Sequence, residues 1–186
     1  MARSRGGDAA AFERIVDVHS AAVYRICEGM LGASEAEDAA QEAFVRVHAG
    51  LASFRGDSKL STWIHRVTTN VALKRAAKRR RRPVAAGLDA AAEVASAGPS
   101  PEASVDAEER RAALRRALDQ LPPEQRAVVV LRGLEGLPFD AVARTLGIPE
   151  PTAQSRMSRA KARLRELLGR LLPDEPGPDR ANGRSA

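Results

Sequence analysis

The sequence predicts an all-α protein made of two small helical domains that a flexible linker joins. Apolar residues recur at spacings of three and four along most of the chain, and no segment alternates convincingly between apolar and polar residues as a strand would. Residues 84–105 interrupt this pattern with Ala, Gly, Ser and Pro, and carry too little large apolar surface to offset their chain entropy. We therefore expect one domain in residues 1–83, a second in residues 106–172 and a disordered tail in residues 173–186.

Three helices are expected in the first domain. The first bears an apolar stripe from Phe12 onward and ends at Gly32. Ser34 precedes Glu37 by three residues, and this capping box, in which each side chain bonds the other residue's free backbone amide, predicts the start of the second helix. A loop with Gly, Asp and Ser occupies residues 54–58. The third helix follows on the apolar residues Leu60, Trp63, Ile64, Val67 and Val71.

The third helix runs into a cationic block. Seven of the nine residues from Lys74 to Arg82 are Lys or Arg, so on a helix they surround the axis and suit a phosphate backbone. The net charge of +6 also favours a polyanionic partner, either nucleic acid or an anionic membrane surface. Just upstream, a loop of small polar residues precedes a helix that contains Trp63. This combination can hold unstacked bases, but Trp63 also fits a core position.

The second domain is expected to end in a helix-turn-helix. After Asp106, the apolar residues Leu114, Leu118 and Leu121 mark one helix, which the pair Pro122–Pro123 terminates. A short helix begins with that second proline. A further short helix covers Phe139 to Leu146, Gly147 is free to adopt positive φ in the turn, and a longer helix starts near Pro151. The packing stripe of this last helix contains Met157, Ala160, Leu164, Leu167 and Leu171. An ordinary helical hairpin with a solvated basic face is the alternative interpretation.

Cysteine and histidine usage gives no indication of catalysis. Cys27 is the only cysteine, which excludes an intrachain disulfide and a cysteine-rich zinc site, and its place on an apolar stripe predicts a buried thiol. His19, His48 and His65 lack the spacing of metal ligands or of a catalytic triad, so we expect no enzyme, metal or cofactor. The N-terminus lacks a signal peptide and no apolar run approaches the roughly 20 residues of a membrane span. A cytoplasmic protein without membrane insertion is therefore expected.

Three blocks of sequence together resemble the bacterial extracytoplasmic-function (ECF) sigma factors. They are "DAAQEAFVRVHAGLASFRGDSKLSTWIHRVTTNVAL", similar to sigma region two, "LDQLPPEQRAVVVLRGLEGLPFDAVARTLGIP", similar to the first part of region four, and "SRMSRAKARLREL", similar to its recognition helix. The resemblance implies a subunit that binds core RNA polymerase, directs it to particular promoters and helps open the duplex. It also implies an anti-sigma factor as a partner.

The resemblance assigns candidate residues to three surfaces. Those implied to bind core RNA polymerase are Asp38, Gln41, Glu42 and Phe44. Those implied to bind the minus-ten element of the promoter are Phe54, Ser61, Trp63, Arg66, Asn70, Lys74, Lys78 and Arg79. Those implied to bind the minus-thirty-five element are Thr152, Gln154, Ser155, Arg156, Arg159 and Arg163. Residues near the N-terminal end of a recognition helix are the ones that reach base edges in the major groove.

Early in the recognition helix the chain departs from the family pattern. Pro151, Ala153 and Gln154 stand where family members commonly have Gly, Val and Lys. Gln pairs well with adenine, so the base preference of this helix is open. Two other function classes remain as alternatives. A stand-alone helix-turn-helix regulator leaves the region-two block without a purpose, and a basic RNA-binding or membrane-surface protein explains the charge but not the helix-turn-helix.

Overall fold

The computed structural model describes residues 9–81 and 101–171, with side chains described from 9 to 81 and from 108 to 170. No strand occurs in these residues, and the all-α prediction is confirmed. Most of the predicted linker and the whole predicted tail lie outside the described residues. The helices are α1 (Ala9–Leu31), α2 (Ala33–Leu51), α3 (Leu60–Arg81), α4 (Pro101–Asp119), α5 (Pro123–Val129), which continues into a π-helical turn (Val130–Leu134), α6 (Phe139–Leu146) and α7 (Glu150–Leu171).

Helices α1, α2 and α3 pack against one another as the first domain. The stripes expected from sequence are the buried faces, since Val23, Ile26, Val47 and Ile64 are fully buried. Burying such a side chain stabilises a fold by roughly 1.5–3 kcal/mol, so this shared core contributes to holding the three helices together.

The junction between α1 and α2 differs from the expected capping box. Gly32 takes φ 88° and its amide donates to the carbonyl of Glu28 at 2.8 Å, so the chain turns within one residue. Helix α2 then starts at Ala33, and Gly32 occupies the N-cap without a side-chain hydrogen bond. The predicted cap at Ser34 is therefore wrong, because Ser34 already lies inside the helix.

The helix-turn-helix is built as predicted. Gly147 adopts the left-handed conformation (φ 65°, ψ 37°) at the end of α6, and its amide donates to the carbonyl of Ala143. A side chain at this φ is strained, so glycine fits the turn. Helix α7 follows at Glu150, and α5 begins at Pro123 as expected. Helix α4 begins at Pro101, five residues before the expected start of the second domain.

The two domains share one core, an arrangement that the sequence did not predict. Val130, Leu131 and Val142 of the second domain belong to the same buried cluster as Val23 and Ile64 of the first. The packing places α6 against α3, and the π-helical turn against α1.

Candidate nucleic-acid interface

Helix α7 has one anchored face and one solvent face. Ala153, Ala160 and Leu167 are buried, and Met157 and Leu164 are partly buried against the core. This confirms the expected packing stripe up to residue 167; the side chain of Leu171 lies outside the description. The residues that the helix turns toward solvent include Gln154, Ser158, Arg159, Lys161 and Arg163.

Two side chains in the N-terminal half of α7 form hydrogen bonds within the helix. Gln154 donates from Nε2 to a carboxylate oxygen of Glu150 at 3.1 Å, and Ser155 donates from its hydroxyl to the carbonyl of Thr152 at 3.1 Å. Arg156 is half-buried and Arg159 exposed, and neither has a hydrogen bond or ion pair among the described residues. These two arginines are therefore free to reach a ligand.

Further along α7, Arg163 is already engaged. Its guanidinium lies 2.7 Å from Glu166, which also binds Arg170 at 2.6 Å. The hydrogen bond from Arg163 and then its charge lower the pKa of Glu166. A phosphate group would have to compete with that carboxylate for Arg163.

The aromatic residues around the predicted minus-ten loop have different exposures. Phe54 is only 7% exposed and packs against Trp63 with ring centroids 5.2 Å apart. The Trp63 ring also covers Gly50, where an added Cβ would lie 2.9 Å from the ring. Phe54 thus supports the site from inside, whereas Trp63 is half-buried and has one side in the core.

Trp63 also lines a cavity between α2 and α3, which we call the Trp63 cavity. Its volume is about 550 Å³. It is lined by Arg46, Gly50, Trp63, Val67, Asn70, Leu73 and Lys74. Three of the predicted minus-ten residues therefore meet at one opening. The other four lining residues, Arg46, Gly50, Val67 and Leu73, were not predicted, because the periodic pattern of one helix does not show which residues of another helix lie beside it.

The cationic end of α3 divides into outward and inward groups. Lys74 and Lys78 are exposed without partners among the described residues. Arg75 instead lies 2.8 Å from Glu42, and Arg79 donates to the carbonyl of Leu31 at 3.1 Å. The block therefore does not present all its charges to a partner, and the predicted DNA contact Arg79 already has acceptors within the chain.

Two more predicted minus-ten residues lie on the surface of the first domain. Ser61 is half-buried near the start of α3, while Arg66 is exposed and donates to the backbone carbonyl of Arg144 at 2.5 Å. Arg144 belongs to α6, so Arg66 touches the second domain.

The predicted polymerase-binding residues occupy different sides of α2. Asp38 and Gln41 are exposed on its outer face, while Phe44 is partly buried against the core. Glu42 binds both Arg75 at 2.8 Å and Arg46 at 2.7 Å, and the hydrogen bond from Arg75 is the main cause that lowers its pKa. Glu42 therefore fastens α2 to α3.

Val45 is a surface residue that the sequence analysis missed. It is 69% exposed beside Gln41 on the outer face of α2, one of five large apolar side chains that the described residues leave in solvent. Val45 follows Phe44 directly and lies outside the apolar stripe of α2. An apolar residue outside the stripe was the feature of the sequence that could have indicated an exposed binding surface.

Two ionisable side chains of the first domain, Cys27 and His65, are buried. Cys27 is fully buried, as predicted, and burial raises the pKa of its thiol to about 12. Burial lowers the pKa of His65, because in both side chains it disfavours the charged form. Within residues 9–81 and 108–170 no three His, Cys, Asp or Glu side chains are grouped to hold a metal ion. No helix in the described part of the chain is long and apolar enough to cross a membrane.

Comparison with known proteins assigns both domains to one family. Residues 15–82 match the family Sigma-70 region 2, and residues 111–164 match Sigma-70, region 4. The chain is 37% identical over 172 residues to the ECF RNA polymerase sigma factor SigM of Mycobacterium tuberculosis, covering 92% of this chain and 84% of that protein. The chain belongs to the ECF sigma factors.

This sigma factor is also similar over most of its length to the ECF RNA polymerase sigma-E factor of Escherichia coli K12. The two are 32% identical over 166 residues, covering 86% of this chain and 87% of that protein. The family and function inferred from resemblance are thereby confirmed. A stand-alone helix-turn-helix regulator is not favoured, because residues 15–82 match Sigma-70 region 2.

Two solved structures share the fold of this sigma factor. The sigma factor RpoE of Bartonella quintana, in complex with the anti-sigma factor NepR, aligns with a TM-score of 0.64 at 26% identity and covers 85% of this chain and 96% of that one. CnrH in complex with the cytosolic domain of CnrY aligns with a TM-score of 0.65 at 23% identity, covering 91% and 94%, and this likeness concerns the fold alone.

Proposed function

We propose that this sigma factor binds core RNA polymerase, holds the minus-ten and minus-thirty-five elements and helps open the duplex through three separate surfaces. The observation that carries this proposal is the two-sided build of α7: Ala153 and Ala160 anchor one face while Gln154 and Arg159 stand in solvent. It acts in the cytoplasm, where polymerase and promoters meet, and has no catalytic chemistry of its own.

The minus-thirty-five element would lie in contact with the exposed side of α7. Arg156 and Arg159 have no partner among the described residues, so a base edge or phosphate would be their first strong acceptor. The surface also includes Thr152 and Ser155, which are half-buried near the start of the helix, and Arg163. These three residues would contact the sugar-phosphate backbone of the DNA. Replacing a base-contacting arginine costs about 1–3 kcal/mol at its own base pair, whereas a phosphate contact weakens all sequences alike.

Glu150 adds an indication of base preference. A carboxylate can only accept, so the amide nitrogen of Gln154 must face it, and the second amide hydrogen and the carbonyl oxygen remain for a base. Adenine offers one acceptor and one donor at the required spacing in the major groove. This supports reading of adenine by Gln154.

The minus-ten element would meet the Trp63 cavity. A base that leaves the stack costs a few kcal/mol, which contacts with the protein must offset. Trp63 offers an aromatic ring for stacking, Asn70 an amide and Lys74 a cation at the same opening. Phe54 supports the ring, and Ser61, Arg66 and Lys78 flank the site. Arg79 would contribute only after leaving its internal acceptors.

Core polymerase would bind the outer face of α2 through Asp38 and Gln41. The exposed Val45 supplies apolar area beside these polar groups, and a mixed surface of this kind is typical of a protein interface. Glu42 and Phe44 would act by holding the helix in place. We expect Asp38→Lys to weaken polymerase binding while the same change at the exposed Asp17 of α1 does not, as measured by titration of labelled core enzyme.

An anti-sigma factor is the expected regulator. The RpoE relative of similar fold was solved with the anti-sigma factor NepR, which supports a partner of this kind here. A second polypeptide that covers the promoter-reading surfaces would prevent initiation without altering the domains.

The proposal is tested by transcription in vitro with purified core polymerase, with RNA starts mapped across genomic DNA. New starts that share two spaced upstream elements only when the chain is present are the expected result. Direct duplex binding without any core-dependent start would overturn the proposal. The variant Arg159→Ala should reduce initiation in parallel with Gln154→Ala, whereas Arg111→Ala on α4, another exposed arginine, serves as the matched control.

A further inference from the structure

Another cavity lies at the C-terminal ends of α1 and α3, beside the turn that joins α4 to α5, and we call it the Arg126 cavity. Its volume is about 330 Å³. Small-molecule sites in proteins have volumes of roughly 300–1,000 Å³, so this cavity has the size of a site for a small ligand.

The charged side chains that line the Arg126 cavity are mostly cationic. They are Arg79, Arg80, Arg126 and Asp119. Three arginines and one aspartate leave a net charge of +2 around the cavity. A cleft lined mainly by one sign of charge concentrates ions of the opposite sign. The ligand that matches this lining is an anion with two or more negative charges.

Two of these arginines are held side by side by the end of α1. Arg126 donates from Nη1 to the carbonyl of Met30 at 2.8 Å, and Arg79 donates from Nη1 to the carbonyl of Leu31 at 3.1 Å. Burial is the main cause that lowers the pKa of Arg126; the charge of Asp119 opposes this effect, and the charge of Arg79 adds to it. The two guanidinium groups therefore repel each other, and an anion in contact with both would relieve that repulsion.

The guanidinium groups keep donors that the protein does not use. Arg126 donates only from Nη1 among the described residues, and its Nε is buried there without an acceptor. Arg79 likewise donates only from Nη1, and its bond to Glu35 is 3.4 Å long. Arg80 is exposed and has no hydrogen bond or ion pair in the described part of the chain. A planar guanidinium can bind two phosphate oxygens at once, so these groups suit a phosphate ligand.

Asp119 does not block an anion from the cavity. Its carboxylate lies 2.9 Å from Nη1 of Arg126, but its side chain is 53% exposed, whereas that of Arg126 is 5% exposed. An exposed carboxylate can turn into water at little cost, because its hydration replaces the bond that it loses. An anion with more charge than one carboxylate would therefore displace Asp119 from Arg126.

The rest of the lining is mainly apolar and suits an organic group attached to the anion. Proline has no backbone N–H, so two consecutive prolines add no donor to this wall. Gln120 adds one side-chain amide. The apolar lining residues are Met30, Ala76, Leu121, Pro122 and Pro123.

The phosphate backbone of promoter DNA matches the cavity less well. Each phosphodiester carries a single negative charge, whereas a pyrophosphate group carries two or more on adjacent phosphates. The side chain of Arg126 is also recessed, so a duplex that approaches from solvent would meet Arg80 but not Arg126. A small ligand can contact both.

We propose that the Arg126 cavity binds a small ligand that carries a pyrophosphate group, either inorganic pyrophosphate or a nucleoside diphosphate or triphosphate. Arg79, Arg80 and Arg126 bind the phosphates, and the apolar lining covers a nucleoside where one is attached. The site is formed by the chain alone and does not depend on the proposed function.

Calorimetric titration of the full chain with sodium pyrophosphate, at an ionic strength held constant with sodium chloride, tests the site. We expect one pyrophosphate bound per chain. Arg80→Ala should weaken binding about tenfold, because it removes a charged donor of the ligand. Arg81→Ala is the matched control, since Arg81 is the next residue of the same exposed cationic block but does not line the cavity. Helical circular dichroism checks that both variants are folded.

A second pair of variants predicts a change of opposite sign. Asp119→Asn should tighten pyrophosphate binding several-fold, because it removes the competing carboxylate, while Glu124→Gln, an exposed carboxylate outside the lining, should not. Several ions bound per chain, equal weakening by Arg80→Ala and Arg81→Ala, or no effect of Asp119→Asn would show diffuse attraction to cationic surface and overturn the proposal. Absence of saturable binding overturns it as well.

Chemical protection gives the position of the ligand. Phenylglyoxal modifies accessible arginines, and mass spectrometry identifies the modified residue. Pyrophosphate should slow the modification of Arg80 and leave that of Arg81 unchanged. Equal rates at Arg80 with and without pyrophosphate would place the anion elsewhere and overturn the proposal.

Parallel titrations distinguish the sources of the phosphate group. A nucleoside triphosphate that binds more tightly than pyrophosphate, with the same loss in Arg80→Ala, assigns the apolar lining to a nucleoside. Equal affinities assign the site to inorganic pyrophosphate. A single-stranded oligonucleotide whose affinity falls in Arg80→Ala, when pyrophosphate does not bind, would make Arg80 a DNA contact and overturn the proposal. None of these assays contains polymerase, so a failure of core-dependent initiation would overturn the proposed function and leave the anion site standing.

Discussion

Replacing Arg126 with alanine should lower the free energy of unfolding by about 3 kcal/mol. The hydrogen bond from its guanidinium to the Met30 carbonyl, at 2.8 Å and buried, contributes about 1.5–3 kcal/mol as a bond from a charged donor. A cation at the C-terminal end of α1 adds about 0.3–1 kcal/mol through the helix dipole. The bond to the half-exposed Asp119 adds at most about 1 kcal/mol, and the recovered desolvation of the guanidinium offsets part of the sum.

Arg79 provides a matched comparison at the same helix end. It donates to the next carbonyl, that of Leu31, at 3.1 Å, and to Glu35 at 3.4 Å, with its own side chain 48% exposed. Arg79→Ala should therefore cost less than about 1 kcal/mol. Urea unfolding followed by helical circular dichroism measures both losses, provided that the slope with denaturant is unchanged. Equal losses at the two positions would refute the argument that burial separates them.

Three further predictions follow from single sites. Gly147→Val should lower stability by about 1–2 kcal/mol, because a side chain is strained at φ 65°, and a thermal melt beside the control Gly169→Val, within α7, would detect the excess loss. Trp63→Ala should weaken binding of single-stranded minus-ten DNA by about 1–3 kcal/mol. In the parent protein, which has a single tryptophan, quenching of the tryptophan fluorescence by the DNA reports contact with the ring. An unaltered affinity of the variant, measured by fluorescence anisotropy of labelled DNA, would argue against stacking. The hydrogen bond from Arg75 lowers the pKa of Glu42 in the folded chain, so the stability it contributes is present above the usual glutamate pKa and is lost as pH falls through the folded pKa. Glu42→Gln should accordingly flatten the acid side of the stability profile, and an unchanged slope would contradict the assignment.

The helices and the helix-turn-helix could be predicted because their signals are local. Apolar spacing determines which face of α1 or α7 is buried, and only one residue type fits the turn at Gly147 comfortably. The capping box failed for a related reason. Its pattern was present at Ser34, but Gly32 turned the chain two residues earlier and the helix had already begun.

The arrangement of the candidate site depended on contacts between distant residues. Glu42 is a plausible partner-binding carboxylate in sequence, but Arg75, thirty-three positions away, engages it. Arg25 meets Glu135 at a separation of 110 residues, and no periodic pattern encodes such a pair. The family resemblance supplied the surfaces, and the packing determined which of their residues remain available.

The way the chain uses its cations refines the meaning of its positive charge. Of 30 cationic residues only four are lysines, and Lys59, Lys74, Lys78 and Lys161 are all exposed. None of the four lysines donates a hydrogen bond within the described residues. The side-chain hydrogen bonds that join helices and domains there are donated by arginines. A planar guanidinium presents several donors in a fixed geometry and suits carbonyls and carboxylates, whereas an ammonium is a mobile and strongly hydrated point charge. Part of the arginine content therefore contributes to architecture. The lysines, together with arginines such as Arg156 and Arg159 that have no partner among the described residues, are the cations that phosphates can bind without first breaking a bond inside the protein.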